Sequence, residues 1–394
     1  MSKIKLIDTL EFPSGLNITK TLFGAGVVGL LASGVGYFLQ EDQFFFSYLV
    51  NFVFFSSIAI GSLFFILLQH LTRSHWSVAI RRIPEAITAN FWIWGLFIIP
   101  IFLGMGSLYH WTHAEAVAHD PVLQGKAPFL NIPFFVVRQF IYFGLWSFLG
   151  YRMYTKSVEM DETGNWGLQT LMRRTSGPGM FFLALSIAFA AFDWLMVLDP
   201  HWYSTIFGVY FFAMTFQAVF AVFILIVMFL WKNGILTNTI KKGHIYDLGI
   251  QLFGFTIFYA YIAFSQFLLI YYANIPEETV WFLERFHGGY QYLAYIYAFG
   301  RFGIPFLVLL PKGTKTNFKV ITAVSILIVF SHFVEIYWIA MPVLNHHGLQ
   351  FDWITLTSFL GLGGMFFGLF FYRFKQNKMI PVNDPRLGDS LNKH

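Results

Sequence analysis

Residues 192–203 read Phe192-Asp193-Trp194-Leu195-Met196-Val197-Leu198-Asp199-Pro200-His201-Trp202-Tyr203, with an apolar run on either side. Each run is long enough to cross a bilayer, so Asp193 stands inside the membrane or just under its surface. A carboxylate there is costly unless it is paired, protonated or wetted. Counted along its span, Asp193 lies ~9 Å below the outer end at Asp199. In Ser331-His332-Phe333-Val334-Glu335, the spacing of three puts His332 and Glu335 on one helix face at a similar depth. Arg138 and Gln139 lie about one to two turns into another span. Arg301 falls nearer the middle or inner half of its span, and Glu85 near the inner mouth of its own. Carboxylate and imidazole side chains can hand protons on. Asp193, His332, Glu335 and Arg138 are therefore candidates for an outer proton path or one wall of a quinone or ion site, with Glu85 and Arg301 toward the inner end. Asn51, Gln217, Gln251 and Gln266 add neutral hydrogen-bonding sites. The plainer alternative is that Arg138 pairs with Asp193 or Glu335 and only locks helices together.

The elements that must position these groups are membrane helices. The chain has 394 residues, of which 57% are hydrophobic and only 11% charged, against roughly 25% charged in soluble domains. It is expected to be an all-α integral membrane protein forming one polytopic domain over 1–394. Ten apolar segments can be drawn, near 18–39, 43–69, 84–108, 132–152, 179–199, 204–231, 247–273, 288–310, 318–341 and 353–373. Asp120-Pro121, Ser176-Gly177-Pro178, Asp199-Pro200, Ile275-Pro276 and Pro311-Lys312-Gly313 are expected breaks. Of the 25 Lys and Arg, Lys126 and Arg285 alone fall in the even-numbered compartments, while Arg138 and Arg301 fall inside spans. The positive-inside rule then predicts cytoplasmic termini. Loops 110–131, 200–203, 274–287 and 342–352 are expected outside, the Asp199/His201 corner among them as a partner-contact surface. Residues 74–83 suggest a short interfacial helix, with Trp76 at headgroup depth and Arg81 and Arg82 facing anionic lipid. The start of the chain has no signal-peptide pattern, so the first span is expected to act as its own insertion signal.

Several chemistries are excluded or weakened. The chain contains no cysteine, which removes iron–sulfur ligation and c-type haem attachment within it. Among 12 histidines only His332 lies well inside a span, so a haem held by two imidazoles is not expected. His110, His113, His119, His201, His346 and His347 share no fixed ligand spacing beyond the first two, so they favour a wet, partner-facing surface over a metal site. Gly24-Ala25-Gly26 and Gly361-Leu362-Gly363-Gly364 suit close helix packing in lipid. A subset of the Phe and Tyr residues could line a quinone pocket. No nucleic-acid partner is expected.

The runs His75–Glu85, Phe192–Met196 and Leu198–Tyr210 resemble the ActF subunit of alternative complex III, a bacterial quinol:cytochrome c oxidoreductase with NrfD-like, polysulfide-reductase-type membrane subunits. The resemblance covers almost the whole chain. It implies two four-helix bundles, spans two to five and six to nine, flanked by the first and last helices, in the bacterial inner membrane. It implies as partners a sister NrfD-like subunit, pentahaem and monohaem cytochrome c subunits and an iron–sulfur subunit. Haem c and iron–sulfur clusters would reside in those partners, and this chain would hold no cofactor beyond a quinone or lipid. In such complexes the sister subunit has the better-supported quinol site, and the ActF-like subunit is assigned proton conduction or scaffolding, without autonomous catalysis. Two other readings are a secondary transporter, against which no half-to-half symmetry is visible, and a passive membrane anchor.

Overall fold

The computed structural model describes residues 8–13, 15–346 and 348–392. Lys3, Lys5, His347, Lys393 and His394, named or counted above, lie outside them. Ten helical spans cross the molecule: Ile18–Leu39, Glu41–Leu71, Arg82–Leu103, Ile132–Thr163, Gly167–Leu198, Phe207–Lys232, Lys242–Ala273, Tyr290–Leu309, Phe318–Val343 and Trp353–Phe374. The chain is a multi-pass membrane protein by length and apolarity of these helices. Among the described residues there is no β-strand.

Two spans are longer than the sequence suggests. The fourth and fifth run on beyond the apolar segments, joined at Gly164, whose φ of 68° ends the fourth span in a left-handed turn. Residues 153–178 had been expected as a polar loop. They include good helix formers such as Met153, Lys156, Glu159 and Leu171, so polarity there marks exit from lipid rather than the end of a helix. The expected break at Ser176-Gly177-Pro178 is absent, because the helix continues through Pro178. The third span, by contrast, is broken into short pieces around Asn90, Gly95 and Gly104, with Pro100 opening its last segment.

The second span is the axis of the fold. It is buried almost without interruption from Phe45 to His70 and packs against spans one, three, five, six, nine and ten. A helix surrounded on all sides needs apolar groups all round, which accounts for its weak amphipathicity. The first span lies at the rim and leaves Val28, Leu31 and Phe38 exposed. It holds on through glycine-to-glycine contact with the tenth span. A Cβ on Gly29 would come within 2.4 Å of the Gly361 nitrogen, and one on Gly364 within 2.5 Å of the Gly26 nitrogen.

The first and last described segments meet on one face, where Met379 N–H donates to Leu10 C=O and Asp8 accepts from Asn238 and Thr239. On this terminal face residues 74–83 do not form the expected interfacial helix. They make turns, and residues 77–83 are buried. Arg81 and Arg82 face carboxylates rather than lipid. Arg81 bonds Glu85 at 3.1 Å and Asp384 at 2.5 Å, while Arg82 bonds Glu85 at 2.9 Å and also Asp161. The reason is the C-terminal segment, which folds back over these residues and supplies Asp384 and Arg386. Burial alone would raise the Asp384 carboxyl, but the Arg81 charge and the Arg386 hydrogen bonds hold it well below its ordinary value.

Two outcomes follow from this packing. Gly364→Val should lower stability by about 1–3 kcal/mol through overpacking, while Gly24→Val, which faces open space, should leave the thermal midpoint in detergent unchanged. A carboxyl depressed by folding adds stability above its unfolded value, ~3.9 for Asp, and that contribution is lost as pH falls below it. The thermal midpoint of the wild type should therefore drop from pH 5 to pH 3, and Asp384→Asn should flatten part of that slope.

Candidate functional site: a buried Arg–Glu–His cluster

The eighth span changes geometry at Phe299–Gly303, which forms a π-helical turn between two α-helical pieces. Such turns widen the helix and often occur at functional sites. Here it carries Arg301 inward toward the ninth span. Gly300 makes the approach possible, because a Cβ there would sit 2.0 Å from Ser331 Oγ. Counted along their spans, Glu335 is ~12 Å and Arg301 ~16 Å from the ends remote from the chain termini. Both are completely buried.

Arg301 spends its donors on four groups. Nε donates to Gln217 Oε1 at 3.0 Å, Nη1 to Glu335 Oε2 and to His332 Nδ1 at 3.1 Å, and Nη2 to the Met214 carbonyl. The guanidinium also lies 4.2 Å over the Tyr259 ring. Glu335 uses its other oxygen, Oε1, to accept from the hydroxyls of Tyr210 and Tyr259, the latter at 2.6 Å. An arginine has no acceptor, so His332 Nδ1 must receive its hydrogen bond as a lone pair. Nε2 then carries the proton and donates to Ser57 Oγ at 2.8 Å, while the Ser57 hydroxyl donates to Phe54 C=O. The imidazole is therefore neutral in this arrangement. Gln217 fixes the far side by donating to Thr256 Oγ1 and the Arg301 carbonyl.

Asp193 belongs to a different cluster. Arg138 grips it with Nε at 2.9 Å and Nη2 at 2.7 Å, and Tyr142 and Gln139 donate to the same carboxylate at 2.9 and 3.2 Å. The remaining guanidinium nitrogen bonds Phe129 C=O, and the group stacks 3.9 Å from the Phe129 ring. Of the two partners open to Arg138, the structure takes Asp193. The hydrogen bonds do not join helices five and nine into one outer chain. The second span stands between them. Its Phe52 ring packs 5.5 Å from Trp194, and its Phe54 ring, on the other side of the helix, 5.4 Å from His332. Arg301, placed deeper by counting, is the residue that joins Glu335 and His332. Glu85 stays apart in the terminal-face ion cluster.

At the remote face, the corner is tied by its own chain. His201 Nε2 and Asp120 Oδ2 are 2.5 Å apart, Lys126 bonds the Pro200 carbonyl, and Trp202 stacks 4.4 Å from Trp281. Asp199 is half-buried and His201 exposed. The His110 and His113 rings lie 5.9 Å apart, tilted by 31°. Among the described residues no three His, Cys, Asp or Glu side chains are grouped to hold a metal ion.

Beside the Arg301 cluster lies a cavity of about 620 Å³ between spans seven and eight. Tyr210 and Tyr259, whose hydroxyls bond Glu335, are among its lining residues. Arg285, assigned to an outer loop by sequence, shapes its roof. It is buried, lies 3.9 Å over the Trp281 ring, and bonds the Trp281 and Ile339 carbonyls, while Trp338 Nε1 donates to its carbonyl. Burial with no carboxylate in hydrogen-bond reach pushes this guanidinium down to about 10. Sequence reasoning missed Tyr210, Tyr259 and Arg285. The spacing of Tyr210 three residues before Ala213 in an apolar helix gives no hint of a carboxylate partner on another span.

No protein-family model matches the chain, and no curated protein matches it significantly. Removing one member of a buried ion pair strands the other at a cost of about 3–5 kcal/mol, whereas replacing both by apolar groups is often near neutral. Arg138→Met should therefore lower the thermal midpoint sharply, and Arg138→Met with Asp193→Leu should recover most of the loss.

Proposed function

We propose that this chain is the ActF-like membrane subunit of a quinol-oxidising respiratory complex of the alternative complex III type, and that it moves protons through the Glu335 cluster. In this reading it lies in a bacterial inner membrane with both termini cytoplasmic. Spans two to five and six to nine form two four-helix bundles flanked by the first and last. Its partners are a sister NrfD-like subunit, pentahaem and monohaem cytochrome c subunits and an iron–sulfur subunit, which hold the haem c and iron–sulfur clusters. The chain performs no autonomous catalysis.

The observation that carries the proposal is the composition of the Glu335 site. A carboxylate buried within a span there accepts from two phenol hydroxyls and pairs with one arginine, which also bonds a neutral imidazole. Each phenol can give its proton to Glu335 while accepting another. Arg301 supplies the counter-charge to this carboxylate. Arg138–Asp193 supports a second role for this chain. That pair is held by two arginine nitrogens, Gln139 and Tyr142, which suits a structural lock.

In the assembled complex, Glu335→Gln should reduce proton release coupled to quinol turnover by about tenfold or more, on the scale of a lost acid–base group. The Arg138→Met/Asp193→Leu double variant should leave both turnover and proton release near wild type. Unchanged proton release in both Glu335→Gln and His332→Gln would remove the proposal.

A further inference from the structure

Pro305 stands just past the π-helical turn of the eighth span, four residues beyond Arg301. In a regular α-helix the Arg301 carbonyl would accept from the N–H of residue 305, and proline has none. Its ring also crowds that carbonyl and pushes it off the helix axis. One residue earlier the register has already slipped, because the Ile304 N–H reaches back to the Phe299 carbonyl rather than to Gly300. The turn therefore ends on a buried main-chain acceptor deprived of its α-helical donor. Such a group is costly if it finds no other.

The donor comes from the sixth span. Gln217 is fully buried, and its Nε2 donates to the Arg301 carbonyl at 2.7 Å and to Thr256 Oγ1 at 3.0 Å. Its Oε1 accepts from Arg301 Nε at 3.0 Å. The Thr256 hydroxyl spends its own hydrogen on the Leu252 carbonyl at 2.8 Å, so toward Gln217 it acts as acceptor. An arginine Nε only donates. The amide is thus held in one orientation from both sides, and it grips Arg301 by main chain and side chain together. We infer that Gln217 is the positioning residue of the Arg301–Glu335 site, acting through the carbonyl that Pro305 leaves without a helical partner. Gln217 occupies Nε, which leaves Nη1 to face Glu335 and His332. This role belongs to the chain alone, and only its effect on proton release rests on the proposed function.

Two measurements test it. The first is a thermal-midpoint cycle on the purified full-length chain in detergent, with Gln217→Leu, Pro305→Ala and the double variant. Pro305→Ala returns a backbone N–H within the eighth span for the Arg301 carbonyl, so loss of the Gln217 amide should cost less in that background. The double variant should lie above the sum of the two single shifts, and additive shifts overturn the inference. The second is proton release per quinol oxidised in the assembled complex. Gln217→Leu and Pro305→Ala should each lower it by about tenfold or more, on the scale of Glu335→Gln. A residue that merely stabilised the fold would leave this ratio unchanged. Pro305→Ala keeps every side chain of the cluster and decides the matter should Gln217→Leu fail to fold. Unchanged release in the foldable variants, in a complex where Glu335→Gln lowers it, overturns the inference. Were Glu335→Gln itself without effect, the proposed function would fall and the midpoint cycle would still decide the positioning role.

Discussion

A charge taken into hydrocarbon has to find its opposite within a few ångströms, and that requirement organises this molecule. Asp193 is held by Arg138, Glu335 by Arg301, and Glu85 by Arg81 and Arg82. Except at Glu85, the partners are on different spans, so each pair states which helices must adjoin. The net contribution of such pairs to stability is small, because desolvation of both ions offsets their attraction. Their larger effect is on uniqueness. Most apolar surfaces here could slide past one another, whereas a misplaced carboxylate in lipid is penalised heavily.

The two intramembrane clusters then differ in what they can do. Around Asp193 two arginine nitrogens, an amide and a phenol donate to the carboxylate, and the guanidinium lies against two phenylalanine rings. Around Glu335 two phenols, an imidazole and a serine form a set of exchangeable hydrogens. The first arrangement ties the fourth span to the fifth. The second contains the groups through which a change could propagate, and it borders a cavity that opens to the bilayer.

Much of this was legible in the sequence and some was not. The ten spans follow from apolar length alone, and the depth of each ionisable group follows from counting along its helix. Azimuth does not. Asp193, His332 and Glu335 share a depth, yet Phe52 and Phe54, on opposite sides of the second span, keep Asp193 from the other two. Arg301 lies somewhat deeper than Glu335 by the same count, and its long side chain, turned inward at the π-helical turn, bridges the difference in a way that depth alone does not reveal. The burial of Arg81 and Arg82 depends on residues 379–391 folding back, a contact some 300 positions away in sequence that no local pattern encodes. Tyr210 and Tyr259 are two of 19 tyrosines, and what distinguishes them is a partner on a third helix.

The wide turn at Phe299–Gly303 acts as a one-residue insertion within a membrane helix. One residue corresponds to about 100° of rotation, so the segments on either side present faces that an unbroken helix could not present together. Were the turn to tighten into regular geometry, Arg301 would rotate off its carboxylate while Tyr290–Ala298 stayed docked. The ion pair and the turn are thus two descriptions of one latch, in which the attraction between Arg301 and Glu335 keeps the helix locally unwound and the unwinding keeps the charges in register.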